Sequence, residues 1–255
     1  MLLPPEAMRL PSHLVAGATV LPSRYDFLPL LPKNGVFVEV GVATGDFSET
    51  IIAACEPSVF MAIDEFKLHE LGELFGKPTA DIFGSETHGS AYRKRFANQI
   101  AVRRMLVLEG DSSACLERLD DAVADVIYID ADHRYEYVKR DLEAAKRKVK
   151  PDGWIIVNDY TMIESLHARV PYGVVNATNE FMIKYNWGMQ YFALEQRMFC
   201  DVVLRPASRL PPVQTQLAAL AAENQALHQA IAILRGSTSW RVTAPVRAIG
   251  KLFNR

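Results

Sequence analysis

The residues best suited to do chemistry cluster in the second half of the chain. Asp130, Asp132 and His133 follow the run Asp125-Val126-Ile127-Tyr128-Ile129, and Asn158 and Asp159 follow Trp154-Ile155-Ile156-Val157. Carboxylate and amide oxygens are hard donors that suit Mg²⁺ or another divalent cation. Such an ion would hold an alcohol oxygen and lower its pKa. Asp130, Asn158 and Asp159 are therefore the candidate metal ligands. His133 lies three residues beyond Asp130, within reach of the hydroxyl proton, which makes Asp130 and His133 the candidate catalytic pair. The plainer alternative is that these acids cap helices and that His133 merely binds one of them.

A second set points to a nucleotide. Val36-Phe37-Val38-Glu39-Val40 breaks into Gly41-Val42-Ala43-Thr44-Gly45 and then into a helical segment. Small residues there let the backbone turn sharply and approach a ligand, and a helix starting just beyond leaves free N–H groups facing it. Ala43 and Asp46 occupy the second and third glycine positions of G-x-G-x-x-G, so the dinucleotide fingerprint is not met. Asp64 ends the next apolar run, Val59 to Ile63, about 20 residues beyond the turn, where an acid accepts from a ribose. Asp111 and Ser112 follow Met105 to Leu108 and suit an adenine end, or an N-cap, or both.

The elements that must position these residues alternate. Strands are expected at 36–40, 59–63, 105–108, 125–129 and 154–157, with Pro151-Asp152-Gly153 as a turn. Helices are expected at 47–54, 91–100, near 116–119, and at 135–149, where Tyr135, Val138, Leu142, Ala145 and Val149 form one apolar face. This order predicts an α/β fold, a doubly wound and mostly parallel sheet, in which ligands sit at the carboxyl ends of strands. Residues 192–194 and 201–204 read as a closing antiparallel hairpin. Residues 66–89 lack periodicity and read as a lid or substrate loop, with His69 and His88 as surface histidines and Arg93, Lys94 and Arg95 beyond it as a solvated face. Tyr172 and Asn176 either face a substrate or begin a helix.

The chain has 255 residues, 49% hydrophobic and 23% charged, with a net charge of −2. That supports one domain plus an appendage and supplies no basic field for nucleic acid. Three scattered cysteines, Cys55, Cys115 and Cys200, suit reduced thiols rather than a disulfide framework. With no secretory signal pattern at the N-terminus and no run long enough to span a membrane, a cytoplasmic protein is expected.

The stretch from Val36 to Arg205 resembles the class I S-adenosylmethionine (SAM)-dependent O-methyltransferases, in particular the metal-dependent sugar and macrolide branch. The likeness is carried by VEVGVATGDFS, AIDEF, EGDSS, IYIDADHRYEYVKRDL, KPDGWIIVNDY and YGVVNATNEFM. It implies a Rossmann-like methyltransferase fold and a SAM cradle from Glu39, Gly41, Ala43 and Gly45, with Asp64 on the ribose and Asp111 and Ser112 near adenine. It also implies Asp130 and Asp159 as metal ligands, Asn158 in another ligand position, and His133 as general base. The alkoxide would attack the sulfonium methyl in line, with most of the acceleration coming from alignment. Ala43 stands where a glycine is usual, and Asn158 where an acid is.

Beyond Pro206, Pro211 and Pro212 the composition changes. Val213, Leu217, Leu220, Asn224, Leu227, Ile231 and Leu234 alternate by four and three, a heptad seam with one polar residue at a central position. This predicts a C-terminal coiled-coil helix at 213–235 and a homo-oligomer, the alternative being a helix folded back on the domain. Residues 236–255 combine apolar and basic side chains and are similar to tails of bacterial surface-polysaccharide enzymes, which implies a glycosyltransferase partner or contact with the inner membrane face. The expected layout is an N-terminal wrapping segment at 1–34, a SAM-dependent domain at 35–206, the coil, and the basic tail. The expected activity is methylation of a sugar hydroxyl in a surface glycan or its precursor. Rival readings are a natural-product methyltransferase and a non-catalytic scaffold.

Overall fold

Apolar β-branched runs form the strands and the segments between them form the helices. In the computed structural model, which describes residues 6–160, 171–195, 199–211 and 213–236, the strands are β1 (Thr19–Leu21), β2 (Val36–Val40), β3 (Val59–Asp64), β4 (Glu73–Leu74), β5 (Lys77–Pro78), β6 (Met105–Glu109), β7 (Ala124–Ile129), β8 (Val149–Val157), β9 (Trp187–Ala193) and β10 (Asp201–Pro206). The helices are α1 (Arg24–Phe27), α2 (Asp46–Cys55), α3 (Thr79–Phe83), α4 (His88–Arg95), α5 (Ala97–Ala101), α6 (Ser112–Glu117), α7 (Tyr135–Lys148), α8 (Val174–Tyr185) and α9 (Val213–Gly236).

Eight strands make one sheet in the order β1-β9-β10-β8-β7-β2-β3-β6, and β4 with β5 forms a separate hairpin. Pairing is parallel from β6 through β8. It turns antiparallel at β10, on both of its sides. The expected mostly parallel, doubly wound sheet is what forms. On one face α6, α7 and α8 cover Val38, Ile127 and Ile155; on the other, α1 and α2 cover Phe37, Phe60 and Val126. Burying an Ile such as Ile127 or Ile155, neither of which retains any exposure, contributes on the order of 2–3 kcal/mol.

Three details differ from the reading of the sequence. The N-terminal segment does not only wrap the domain: β1 joins the sheet edge parallel to β9. The Pro151-Asp152-Gly153 stretch is a bulge within β8, not a separating turn, since Ala124 pairs with Val149 and Val126 with Trp154. The basic helix is two helices, α4 and α5, broken at Phe96, which is buried against Tyr92.

The chain divides into two compact units, residues 1–210 and 211–255. In the second, α9 is one continuous helix on which Leu227, Ile231 and Leu234 are exposed. The structure shows no coiled coil among the described residues, and most of the basic tail, residues 237–255, lies outside them. No described helix is long and apolar enough to cross a membrane.

Candidate active site

The turn after β2 works by close approach. Gly41 has φ +83°, and a Cβ there would come 2.1 Å from the Asp130 carbonyl oxygen. The glycine thus lets the end of β7 press against the turn, where the Asp130 N–H donates to Val40 O at 2.7 Å. Ala43 also has positive φ, 42°, a cost of order 1 kcal/mol that its surroundings must hold in place. Gly45 (φ +89°) serves packing, because a Cβ there would meet the Phe96 ring at 2.7 Å. Beside the turn a cavity of about 550 Å³ opens at the carboxyl ends of the strands, lined by Gly41, Ala43, Asp64, Asp111, Ser112 and Asp130. That size suits a nucleoside-sized ligand.

The predicted cradle residues divide into those that line this cavity and those that support it. Asp64 lines it while accepting from Val42 N–H (2.9 Å) and Phe66 N–H (2.7 Å), so it braces the turn as well. Asp111 lines it and also caps α6 by accepting from Ala114 N–H. Hydrogen bonds from Ala114 and Ser113, then the Arg140 charge, hold its carboxyl below the usual range. The Ser112 hydroxyl is committed to Asp141 at 2.6 Å. Glu39 does not line the cavity. It is 2% exposed, accepts from the Ser48 hydroxyl, and burial pushes its pKa well up. Gly45 is likewise outside the lining.

The five chemistry-bearing residues of the second half behave differently from one another. Asp130, Asn158 and Asp159 end the neighbouring strands β7 and β8, where the Asn158 N–H donates to Ile129 O at 3.0 Å. His133 Nε2 lies 3.4 Å from an Asp130 carboxylate oxygen and 3.3 Å from one of Asp159. Neither contact is a well-formed hydrogen bond, and Nε2 is buried without one. The ring is fixed from other sides: Tyr172 stacks on it at 4.6 Å and 9°, and the His133 carbonyl accepts from Gly173 N–H. Burial lowers the His133 pKa, but Asp130 and Asp159 outweigh it and raise it. Burial, opposed by the His133 charge and aided by Asp130, pushes Asp159 up to about 6. Asp159 carries positive φ, 57°, and bonds the Tyr172 hydroxyl. Asp132 turns aside to pair with Arg134. The structure therefore gathers Asp130, His133, Asn158 and Asp159 into one cluster, joined to the cavity through Asp130.

Residues 38–160 match a family model described as a methyltransferase domain. That span, a little under half of the chain, is similar to methyltransferase domains. The match covers the glycine turn, the cavity residues and the Asp130 to Asp159 cluster, and the architecture is the Rossmann-like methyltransferase fold. No curated protein matches the chain. Among solved structures, a SAM-dependent methyltransferase from Aquifex aeolicus is 16% identical, with 69% of this chain and 84% of that one covered and a TM-score of 0.45. A Staphylococcus aureus protein named as a candidate caffeoyl-CoA O-methyltransferase is 18% identical, with 67% and 76% covered and a TM-score of 0.47. The pyocyanin biosynthetic protein PhzM is 16% identical at a TM-score of 0.43; 71% of this chain is covered, and it spans about half (54%) of that one. None of these three bears on substrate or mechanism.

Several residues of the matched span and its flanks escaped the sequence reading. His88 is not a surface histidine: it is fully buried between Phe66 and Phe83, with Nε2 2.5 Å from the Ala43 carbonyl oxygen and Nδ1 4.0 Å from Asp64. It braces the cradle from α4. Phe66 and Phe83, both inside the aperiodic segment, were the available signal. Behind Asn158, a buried network joins distant parts of the chain. Asn158 Nδ2 donates to Asp201 at 2.8 Å, the Tyr128 hydroxyl donates to the other Asp201 oxygen at 2.9 Å, and Arg24 donates to Tyr128 at 3.2 Å. Burial pushes Asp201 up to about 7, against the pull of Arg24. Nothing in the spacing of Arg24 or Asp201 announced this.

Proposed function

We propose that this chain is a SAM-dependent O-methyltransferase that methylates a sugar hydroxyl, in a bacterial surface glycan or its nucleotide- or lipid-linked precursor. The observation that carries the reading is the convergence of Asp130 and Asp159 on His133 Nε2, at 3.4 and 3.3 Å, beside the Gly41–Ala43 cavity. SAM would occupy that cavity, with Asp64 beneath the ribose and Asp111 toward the adenine. An acceptor hydroxyl entering between Asp130 and Asp159 would meet His133 as proton acceptor. Stacking on Tyr172 and the Gly173 contact hold the ring ready for that transfer. Aligning the oxygen with the sulfonium methyl is then the main source of acceleration.

The cluster also fits a divalent cation. Asp130 and Asp159 both reach the ring, burial and then the Asp130 charge raise the Asp159 pKa, and the buried ring nitrogen between them has no hydrogen bond. Asn158 commits its amide nitrogen to Asp201 and its side chain also bonds His133, so its carbonyl oxygen would have to exchange the ring for an ion. Among the described residues no three His, Cys, Asp or Glu side chains form a ready-made metal site. Asp130, Asp159 and Asn158 would thus hold an ion such as Mg²⁺ together with water or acceptor oxygens, as that ion commonly requires. Bound there, it would supply charge that lowers the pKa of the acceptor hydroxyl.

The exposed Leu227, Ile231 and Leu234 on α9 support self-association through residues 213–235, and the basic terminus supports docking at a membrane face or on a glycosyltransferase. Mass spectrometry of surface glycan from a deletion strain tests the function. Loss of one methyl group from a sugar is expected; an unchanged glycan contradicts the reading. With the acceptor so identified, Asp159→Ala is expected to make turnover insensitive to added Mg²⁺.

A further inference from the structure

A second cavity, of about 680 Å³, opens beside the start of α2 and is walled by Arg24, Tyr25, Asp46, Phe47 and Glu195. It has the size of the donor cavity and shares the turn that separates them: Ala43 faces one, Asp46 and Phe47 the other. Its Arg24 wall is three hydrogen bonds from the reacting cluster, through Tyr128 and Asp201 to Asn158. The cavity's own chemistry is mixed. Phe47 lies against Tyr128 at 4.8 Å, with Tyr25 edge-on at 6.3 Å and the Arg24 guanidinium 4.9 Å over its ring. Tyr25 is 60% exposed. Around these rings stand Glu195, the Ser23 and Thr50 hydroxyls, and Asp46, whose carboxylate is paired with Arg95 at 2.7 Å and accepts from the Thr44 hydroxyl.

We infer that this cavity is the acceptor subsite and that its ligand is a neutral hexose ring. Aromatic faces accept the C–H face of a pyranose, while carboxylates and a guanidinium bind vicinal hydroxyls in pairs. The Arg24–Tyr128–Asp201–Asn158 chain then links the sugar's seat to Asn158, next to Asp159 at the end of β8. The inference rests on the glycan-acceptor reading and specifies where that acceptor sits.

The test is saturation-transfer NMR on the full chain with S-adenosylhomocysteine present. The probes are methyl α-D-glucopyranoside, methyl α-D-galactopyranoside, methyl α-D-mannopyranoside and methyl α-L-rhamnopyranoside, with catechol as a non-sugar acceptor mimic. Calorimetric titration with SAM checks that each variant keeps its donor site. At least one glycoside is expected to receive saturation from the wild type. That signal is expected to fall at least fivefold in both Tyr25→Ala and Phe47→Ala, with SAM affinity unchanged within twofold. A glycoside signal that survives in both variants overturns the subsite but leaves the glycan reading standing. Signal from catechol alone, or from no probe while SAM still binds, overturns the subsite and the glycan reading together.

Discussion

Asp141 offers a prediction whose size follows from its surroundings. It lies on the buried face of α7 with no exposure. One carboxylate oxygen accepts from Ser112; the other is buried without a partner. Burial raises its pKa from 3.8 to about 6, and the nearby charge of Asp111 adds to this. The folded chain therefore binds this proton more tightly than the unfolded chain. Its stabilising contribution is full below about pH 4 and is lost as pH rises through about 6. A shift of about two units corresponds to about 3 kcal/mol, of which about 2 kcal/mol falls between pH 4.5 and 7.5. Asp141→Asn keeps an acceptor for Ser112 and cannot ionise. Its buried N–H₂ leaves a constant cost of roughly 1–3 kcal/mol at every pH. The readable quantity is thus the change with pH, not the offset. Urea denaturation of both chains should show the variant gaining about 2 kcal/mol on the wild type between pH 4.5 and 7.5. Two curves that stay parallel across that range would refute the argument that Asp141 is strained by burial.

Gly41→Ala should cost at least about 2 kcal/mol, because the new Cβ meets the Asp130 carbonyl and the positive φ is disfavoured; thermal unfolding measures it, and a shift of less than 1 °C would contradict the close approach. His88→Ala removes the contact with Ala43, and the loss of about 1 kcal/mol from the cradle should weaken SAM about fivefold. An unchanged dissociation constant would show that the turn stands without it.

How much of this was legible in the sequence depended on where the signal came from. Residues at the ends of parallel strands could be found, because apolar runs such as Val36–Val40 and Val126–Ile129 mark their own termini and the topology puts those termini on one rim. Asp64, Asp111, Asp130, Asn158 and Asp159 were found in that way. Residues that reach the rim from antiparallel or irregular segments could not. Asp201 begins an antiparallel strand whose start lies at the rim by virtue of pairing with β8, and Arg24 sits on a four-residue helix with no periodicity to read. His88 was misjudged because burial there comes from two phenylalanines flanking it in space, a contact that no local pattern encodes. Glu39 was read as part of the cradle by likeness, yet its side chain points into the protein, where the Ser48 and Tyr92 hydroxyls complete its surroundings.

Calorimetric titration of SAM into the wild type, Asp64→Ala and His133→Ala tests most directly the claim that one rim holds a donor cradle beside, but separate from, a proton-accepting cluster. The account predicts a single site in the wild type, affinity within twofold of it in His133→Ala, and at least tenfold weaker binding in Asp64→Ala. An absence of binding in the wild type, or equal loss in the two variants, would contradict it.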